Sequence, residues 1–561
     1  MTNIVARAYD ESHAETLRRA GRHPVLARIL AARGIFSPAQ LECALGGLIP
    51  PTQMKGLARM AALLADAIAA KKRLLVVADY DADGATACAV MVKGLRGMGA
   101  EIAYIVPNRF EYGYGLTPEI VALAAEQNPD IIITVDNGIA SVEGVQAANE
   151  RGIAVLVTDH HLPGDTLPDA ACIINPNQLG CAFASKNLAG VGVAFYLMLA
   201  LRAELRARGA FDEKLNPAEL LDLVALGTVA DLVRLDDNNR ILVEQGLRRI
   251  RAGKASAGVE ALLRVAGRDP RRATAQDFAF FAGPRLNAAG RLQDMSLGIA
   301  CLLAENLNEA MQRARELDAL NRERRSIEAD MRESAELSLE EIDPGEHYAL
   351  SLYEPEWHQG VIGILASRIK ERFHRPVIAF APGGDGLLKG SGRSISNLHL
   401  RDALDLVAKR HPGLLLKFGG HAMAAGLTIE EGRFANFKDA FEEVARGLLT
   451  PADLEAVIET DGAMDAADIK LELAELLEHQ AWGQGFPAPE FDDVFRVAEQ
   501  RIVGDRHLKL RLEKSGRHFD AILFNCIETL PKNIRAIYRL EVNEYNGNRN
   551  AQLVLRHWEA A

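Results

Sequence analysis

Between about residues 70 and 230, short apolar runs alternate with stretches of helical spacing, and this alternation constrains the fold more than any other feature of the chain. It leads to an α/β fold with a parallel sheet, whose strands read as continuous apolar runs because both faces are covered. The strand candidates are Leu74–Ala78, Glu101–Val106, Ile131–Val135, Ala154–Thr158 and Cys172–Ile174. Helices are expected over Ala85–Leu95, Thr117–Glu126 and Val142–Arg151. Three of the apolar runs end in groups that bind cations. The first runs into Asp79-Tyr80-Asp81-Ala82-Asp83-Gly84, the third into Asp136-Asn137-Gly138, and the fourth into Asp159-His160-His161. Open parallel sheets bind ligands at the carboxyl ends of their strands, so these groups are expected along one edge. Asp231, which closes the apolar stretch Leu220–Val229, is a fourth candidate. Gly84 reads as the residue that allows a tight turn from strand to helix.

Carboxylates this numerous stay ionised together only with cations among them. Asp with His suits Mn²⁺ or Mg²⁺, and imidazole tilts the choice toward Mn²⁺. Zinc would more often bring Cys ligands or fewer carboxylates. Two ions ~3.5–4 Å apart are expected, the usual arrangement for hydrolysing a phosphodiester by in-line displacement.

Taken in order and spacing, the segments at Asp79–Gly84, Val135–Gly138, Asp159–His161 and Gly227–Asp231 resemble the four motifs of the DHH phosphoesterase superfamily. The resemblance implies that Asp81 and Asp136 hold one ion, with Asp79 at or just behind it. It implies that Asp83, Asp136, His160 and Asp231 hold the other, so that Asp136 bridges. His161 would face the scissile phosphate, and Asp159 would orient the imidazoles. Gly283–Leu292, Trp357–Arg368, Ser391–Ser394 and Gly419–Gly426 further resemble segments of the RecJ family of bacterial single-stranded-DNA-specific exonucleases, the last two its DHHA1 domain. This likeness runs from about residue 50 to 560. It implies 5′→3′ hydrolysis of single-stranded DNA to mononucleotides, in recombination and repair. It also implies a C-terminal OB-fold, and partners such as a single-strand-binding protein and a RecQ-type helicase.

The remaining residues divide the chain accordingly. Residues 1–50 are expected to form a helical extension, 51–300 the DHH catalytic domain, 301–345 a connecting helix, 346–450 an α/β DHHA1 domain and 455–561 a β-barrel. Leu303 to Ile342 has helical spacing and neither Gly nor Pro, as a spacer holding a second lobe across a cleft would have. Ser391, Arg393 and His421 offer a hydroxyl, a bidentate cation and a second donor, which is what a phosphate pocket needs. Arg109 and Arg291 are further candidates for phosphate contact, while Tyr112 and Tyr114 either stack on bases or pack. Phe491–Ile502, His507–Glu513, His518–Phe524, Ile534–Val542 and Ala551–Trp558 read as five short strands. Residues 496–561 carry a net charge of +4 in a chain whose net charge is −12, and aromatics are interleaved among them. Both features suit an OB-fold that grips single strands. Arg506, Lys509, Arg511, Arg517, Phe519 and Arg549 are candidates for its binding face, although strand alternation does not say which point outward. Deleting the barrel is expected to weaken binding of long strands and spare the chemistry, since every ligand precedes residue 232.

Six scattered cysteines without a CxxC suit a reducing compartment. The N-terminus has no apolar signal core. The longest apolar stretch, Ala189 to Leu201, is too short to span a bilayer. A cytoplasmic monomer without a membrane partner is therefore expected. Two other functions compete. A small-substrate DHH phosphoesterase, acting on a cyclic dinucleotide, a nanoRNA or pyrophosphate, needs neither this length nor a basic barrel. A catalytically inactive scaffold has no reason to keep so many like charges together.

Overall fold

The computed structural model describes residues 3–108, 112, 114–210, 216–340, 346–545 and 547–561, so Arg109 lies outside the described residues. The chain forms two compact units, one holding Ala6–Asp318 and Glu459–Ala561, the other Met1–Val5 and Ala319–Ile458.

In the larger unit, β1 (Arg73–Ala78), β2 (Glu101–Ile105), β3 (Ile131–Val135), β4 (Ala154–Thr158) and β5 (Cys172–Ile174) form an all-parallel sheet of order β2-β1-β3-β4-β5. Leu75, Val77, Ile132, Val155 and Val157 pack beneath one set of helices through Ile120, Val121 and Val145. Each such buried side chain contributes about 1.5–3 kcal/mol relative to exposure. The register pairs Ala78 with Val135, Val135 with Thr158 and Thr158 with Ile174. The strands therefore end level. The ladder then runs one rung further: Asp79 N donates to Val135 O (3.2 Å), Asp136 N to Thr158 O (3.0 Å) and Asp159 N to Ile174 O (3.1 Å). Asp79, Asp136, Asp159 and Asn175 thus stand in one row. The strand order reverses between β1 and β3, and a crevice opens at such a switch point.

Helix α1 (Ala82–Gly97) starts three residues before the sequence places it, because Asp81 caps it: Oδ1 accepts from Asp83 N (2.9 Å) and Gly84 N (3.0 Å). Gly84 therefore lies inside the first helical turn and makes no turn of its own. Its purpose is close approach, since a Cβ there would sit 2.5 Å from the Asp79 carbonyl oxygen. Helix α2 (Gly190–Ala207) is buried over most of its length, and helix α3 (Leu221–Ala230) ends at Asp231. Helix α4 (Gly283–Leu292) braces the Asp79–Ala82 loop: Asn287 Oδ1 accepts from Ala82 N (2.8 Å), and the face of Gly290 rests on the Tyr80 carbonyl. The long helix α5 (Leu307–Glu340) is present as expected, at 34 residues. No helix among the described residues is long and apolar enough to cross a membrane.

The smaller unit is a mixed sheet, β6 (Leu350–Tyr353), β7 (Val377–Gly384), β8 (Leu387–Arg393), β9 (Lys417–Gly420) and β10 (Ala424–Glu430), in the order β9-β10-β8-β7-β6. Helix α6 (Ile362–Phe373) follows β6. The chain then re-enters the larger unit as a closed barrel: β11 (Phe491–Val503), β12 (His507–Lys514), β13 (Arg517–Leu523), β14 (Asn533–Tyr545) and β15 (Asn548–Ala560), order β11-β12-β13-β15-β14. The barrel is not an appendage. The Arg33 guanidinium, from the N-terminal extension, forks onto Asp461 (2.7 and 3.0 Å) and lies over the Trp482 ring.

Candidate metal centre

The level strand ends bring the acidic groups together. Ligand atoms lie within 4.8 Å of one another in three sets: Asp79, Asp81 and Asp136; Asp83, His160 and Asp231; and Asp136, His160 and His161. His160 Nε2 is 3.1 Å from Asp136 Oδ1, 3.6 Å from Asp231 Oδ2 and 3.9 Å from Asp83 Oδ2. Asp231 reaches the group from the C-terminal cap of α3, while the others come from strand ends and the first turn of α1.

Backbone N–H groups aim the Asp83 and Asp81 carboxylates. Asp83 is fully buried, and its oxygens accept from Gly190 N (2.6 Å) and Val191 N (2.9 Å) at the start of α2. A helix N-terminus favours a negative charge there. Position 190 tolerates only glycine, because a Cβ would lie 2.6 Å from Asp136 Oδ1. Asp136 itself adopts φ +62°, a left-handed conformation uncommon outside glycine. Burial, and then the charge of Asp81, push the Asp83 carboxyl up to about 7. Burial, with neighbouring carboxylates behind it, also raises Asp136 and Asp231 well above the usual range. Burial and the charge of His161 draw His160 down to about 4, which leaves its imidazole neutral, as a ligand must be.

Three atoms at this centre, Asp136 Oδ1, His160 Nε2 and Asp231 Oδ2, are buried and have no hydrogen-bond partner among the described residues. An unsatisfied buried polar atom costs about 1–3 kcal/mol. A carboxylate-rich set with one imidazole is what a hard divalent cation such as Mn²⁺ or Mg²⁺ takes up, so the residues fit the cations expected from the sequence.

His161 is built differently. Its Nδ1 lies 2.8 Å from Asp159 Oδ1, which also accepts from His160 N (2.7 Å) and His161 N (3.1 Å), while Asp159 Oδ2 accepts from Ile139 N (2.9 Å). Burial opposes charge on both partners, but their mutual bond outweighs it. Asp159 is held below its ordinary value and His161 is raised to about 9. The pair thus places a cationic imidazole beside the carboxylates. The Tyr114 hydroxyl sits 3.1 Å from His161 Nδ1 and 3.3 Å from Nε2, with the ring half exposed. Tyr112 instead packs against the apolar layer beneath the sheet. Asn175 and Asn177, which the sequence reading passed over, bind the carbonyls of the two histidines. The Asn-Pro-Asn run directly after a strand was the available signal.

Among the phosphate candidates, Ser391 and Arg393 share one face of β8, with Arg393 Nη1 donating to Ser391 Oγ (3.3 Å). Gly363, at the start of α6, leaves room for both side chains: a Cβ there would meet Ser391 Oγ at 2.8 Å and Arg393 Nη2 at 3.0 Å. Burial alone lowers the Arg393 guanidinium. His421 lies in the β9–β10 turn, and Ala424, its backbone partner, pairs with Arg393 across the sheet. Arg291 is half-buried on α4, one residue after Gly290. In the barrel, Leu508, Leu510 and Leu512 face inward, so Lys509 and Arg511 point out. Phe519 lies directly opposite Leu512 and turns to the interior side. Arg549 is engaged by Glu475 (2.6 Å), and Arg517 Nη1 reaches Ala466 O (3.5 Å). The outward basic set is therefore Arg506, Lys509, Arg511 and the exposed Arg517, with Arg511 4.0 Å from Glu499, and of these candidates only Arg549 is tied up in a close ion pair among the described residues.

Known proteins share this organisation. Residues 73–228 match the N-terminal domain of the DHH family, 345–447 the DHHA1 domain and 460–557 the RecJ OB domain. The chain is 53% identical over 551 residues to the single-stranded-DNA-specific exonuclease RecJ of Salmonella typhimurium, across 95% of each chain. The figures for the Escherichia coli protein of that name are again 53% and 95% of each chain. The crystal structure of RecJ from Thermus thermophilus in complex with Mn²⁺ matches with a TM-score of 0.84 at 31% identity, covering 100% of this chain and 79% of that one.

Proposed function

Because this chain belongs to the RecJ family of single-stranded-DNA-specific exonucleases, we propose that it degrades single-stranded DNA from the 5′ end to mononucleotides, using two divalent cations, Mn²⁺ or Mg²⁺. The observation that carries this reading is the level row of strand ends with its three unpartnered buried ligand atoms. Bound there, the cations would supply activation of a water and neutralisation of charge on the phosphate. Asp79, Asp81 and Asp136 would hold one, and Asp83, Asp136, His160 and Asp231 the other, with Asp136 shared. His161, kept cationic by Asp159, would neutralise a phosphate oxygen and donate a proton to the leaving oxygen. Ser391 and Arg393, with His421, would capture a terminal 5′-phosphate. Arg291 would contact another phosphate of the strand, and Arg506, Lys509 and Arg511 would grip the strand through the barrel. A single-strand-binding protein and a RecQ-type helicase as partners, and action as a cytoplasmic monomer in recombination and repair, complete the proposal. The inactive-scaffold and small-substrate readings are not favoured by relatives at this identity and coverage.

The test is purified protein, Mn²⁺ and a single-stranded oligonucleotide labelled at one end or the other. A labelled mononucleotide should appear at once from the 5′-labelled strand, and duplex DNA should be spared. First release from the 3′ label would reverse the polarity. No cation-dependent hydrolysis by folded protein would return the scaffold reading.

A further inference from the structure

We infer that Asn177 and Asn175 form a two-point clamp on the adjacent histidines, Asn177 positioning His160 and Asn175 positioning His161. Asn177 Nδ2 donates to the His160 carbonyl at 2.6 Å, and Asn175 Nδ2 to the His161 carbonyl at 2.9 Å. Each amide serves a different histidine. Neighbouring residues in a chain normally share their fate, yet these two imidazoles have different surroundings. The His160 ring is turned to Asp83, Asp136 and Asp231, and the His161 ring to Asp159. The His160 carbonyl lies in the peptide that joins the two histidines and the His161 carbonyl in the next, so the two bonds hold the backbone on both sides of the His161 Cα, while the N-terminal side of the His160 Cα is held by His160 N on Asp159 Oδ1 (2.7 Å). Together they set the direction in which each ring leaves the chain.

The clamp is itself rigidly mounted. Asn175 is fully buried, directly follows β5 and closes the row of strand-end residues. Its Oδ1 accepts from the Asn177 backbone N–H (2.7 Å), which ties the Asn177 backbone to the Asn175 side chain. Lys186 Nζ ties the intervening Pro176 carbonyl (2.6 Å) and the Cys181 carbonyl (3.0 Å), and Gln178 Nε2 binds Ile173 O (3.1 Å). A side-chain amide that aims a ligating histidine acts as the outer partner of a metal site, and losing such a partner typically costs 10–100-fold in affinity or activity.

The inference rests on the reading of His160 as a metal ligand, so the experiment carries His160→Ala beside the clamp variants. On full-length protein, Mn²⁺ affinity is measured by titration calorimetry, kcat and KM on single-stranded DNA at saturating Mn²⁺, and the melting midpoint without metal. Asn177→Ala should weaken Mn²⁺ binding by about 10–100-fold, with kcat recovering to within a few-fold at saturating metal. Asn175→Ala should lower kcat by about 10–100-fold at saturating metal with KM little changed. Unaltered Mn²⁺ affinity in Asn177→Ala, where His160→Ala loses it, overturns the clamp and leaves the metal reading standing. Unaltered affinity in His160→Ala overturns the metal reading itself. Lowered midpoints with both functional readouts normal assign the asparagines to folding alone and also overturn the clamp. If an alanine variant does not fold, the isosteric Asn177→Asp, which keeps the volume and loses the donor, is measured in its place against the same criteria.

Discussion

Asp136 shows the conflict between stability and function at a single residue. It is buried among like charges and held at φ +62°, a conformation whose cost for a non-glycine residue is of order 1–3 kcal/mol. Asn accepts that conformation more readily and carries no charge. Asp136→Asn should therefore abolish hydrolysis yet stabilise the metal-free protein, by up to the same ~1–3 kcal/mol, seen as a higher melting midpoint. Calorimetry in the presence of a chelator, with a nuclease assay beside it, tests both halves. Asp159→Asn should leave a residual rate, lower by about 10–100-fold, because it disturbs only the orientation of the histidines. The pH dependence has a definite sign. Asp83 moves from 3.8 when free to about 7 in the fold, so its protonated form is the one that the fold favours. Its contribution is full below about 3.8 and lost as pH rises through about 7. The metal-free protein should lose stability over that window, and Mn²⁺ should restore it most at the alkaline end. Melting curves from pH ~4 to ~8, with Mn²⁺ or with chelator, decide this.

At the scale of elements, the site depends on how closely helices approach strand ends. Helix α2 can donate its first two N–H groups to Asp83 only because position 190 has no side chain. Gly190→Ala should displace Asp136, cost about 1–3 kcal/mol of stability as overpacking does, and weaken Mn²⁺ binding. The five strands of the catalytic sheet were legible as short apolar runs and are found within a residue of their expected ends. The start of α1 was not, because Asp81 can read equally as a strand end or as a cap, and only the bonds from Asp83 N and Gly84 N decide. Asn287 and Gly290 of α4 were legible only as part of a motif, since their partners lie some 200 residues away in the chain. On β8, Arg393 and Ser391 are neighbours by strand alternation, which the sequence does show. Arg393→Ala should slow degradation of 5′-phosphorylated oligonucleotides more than of 5′-hydroxyl ones. Equal loss on both would remove the terminal-phosphate role.

At the scale of the whole molecule, the barrel and the catalytic sheet belong to one compact unit, although some 140 residues of the other unit separate them in sequence. Arg33 and Asp461 form a buried fork between the N-terminal extension and the segment leading into the barrel, Leu235 N donates to Gln484 O (2.8 Å), and Arg272 pairs with Glu544. Removing one side of a buried ion pair costs about 3–5 kcal/mol, a large part of a typical folding free energy. A chain cut near residue 455 should therefore melt at a lower temperature and lose activity along with long-strand binding. This changes the expectation, formed from the position of the ligands alone, that the chemistry would survive. Outward substitutions that keep the barrel intact, such as Lys509→Ala with Arg511→Ala, are the cleaner probe. Each lost phosphate contact should flatten the log–log salt dependence of single-strand binding by about 0.7.

The sequence alone determined which residues are candidate ligands, the alternation that makes a parallel sheet, the long helix and the five-stranded barrel. Each of these is written in local pattern or in short motifs, whose physical meaning lies within a few residues. Tertiary structure decided what depends on register and distance. A strand that is apolar on both faces does not specify its own register, so the level row from Asp79 to Asn175 exists only once the sheet has formed. The same holds for the facing of Phe519, the engagement of Arg549, the left-handed turn at Asp136, and the asparagine amides that meet the two histidine carbonyls. Each of these arises where distant segments are forced close, and packing, not local preference, sets the outcome.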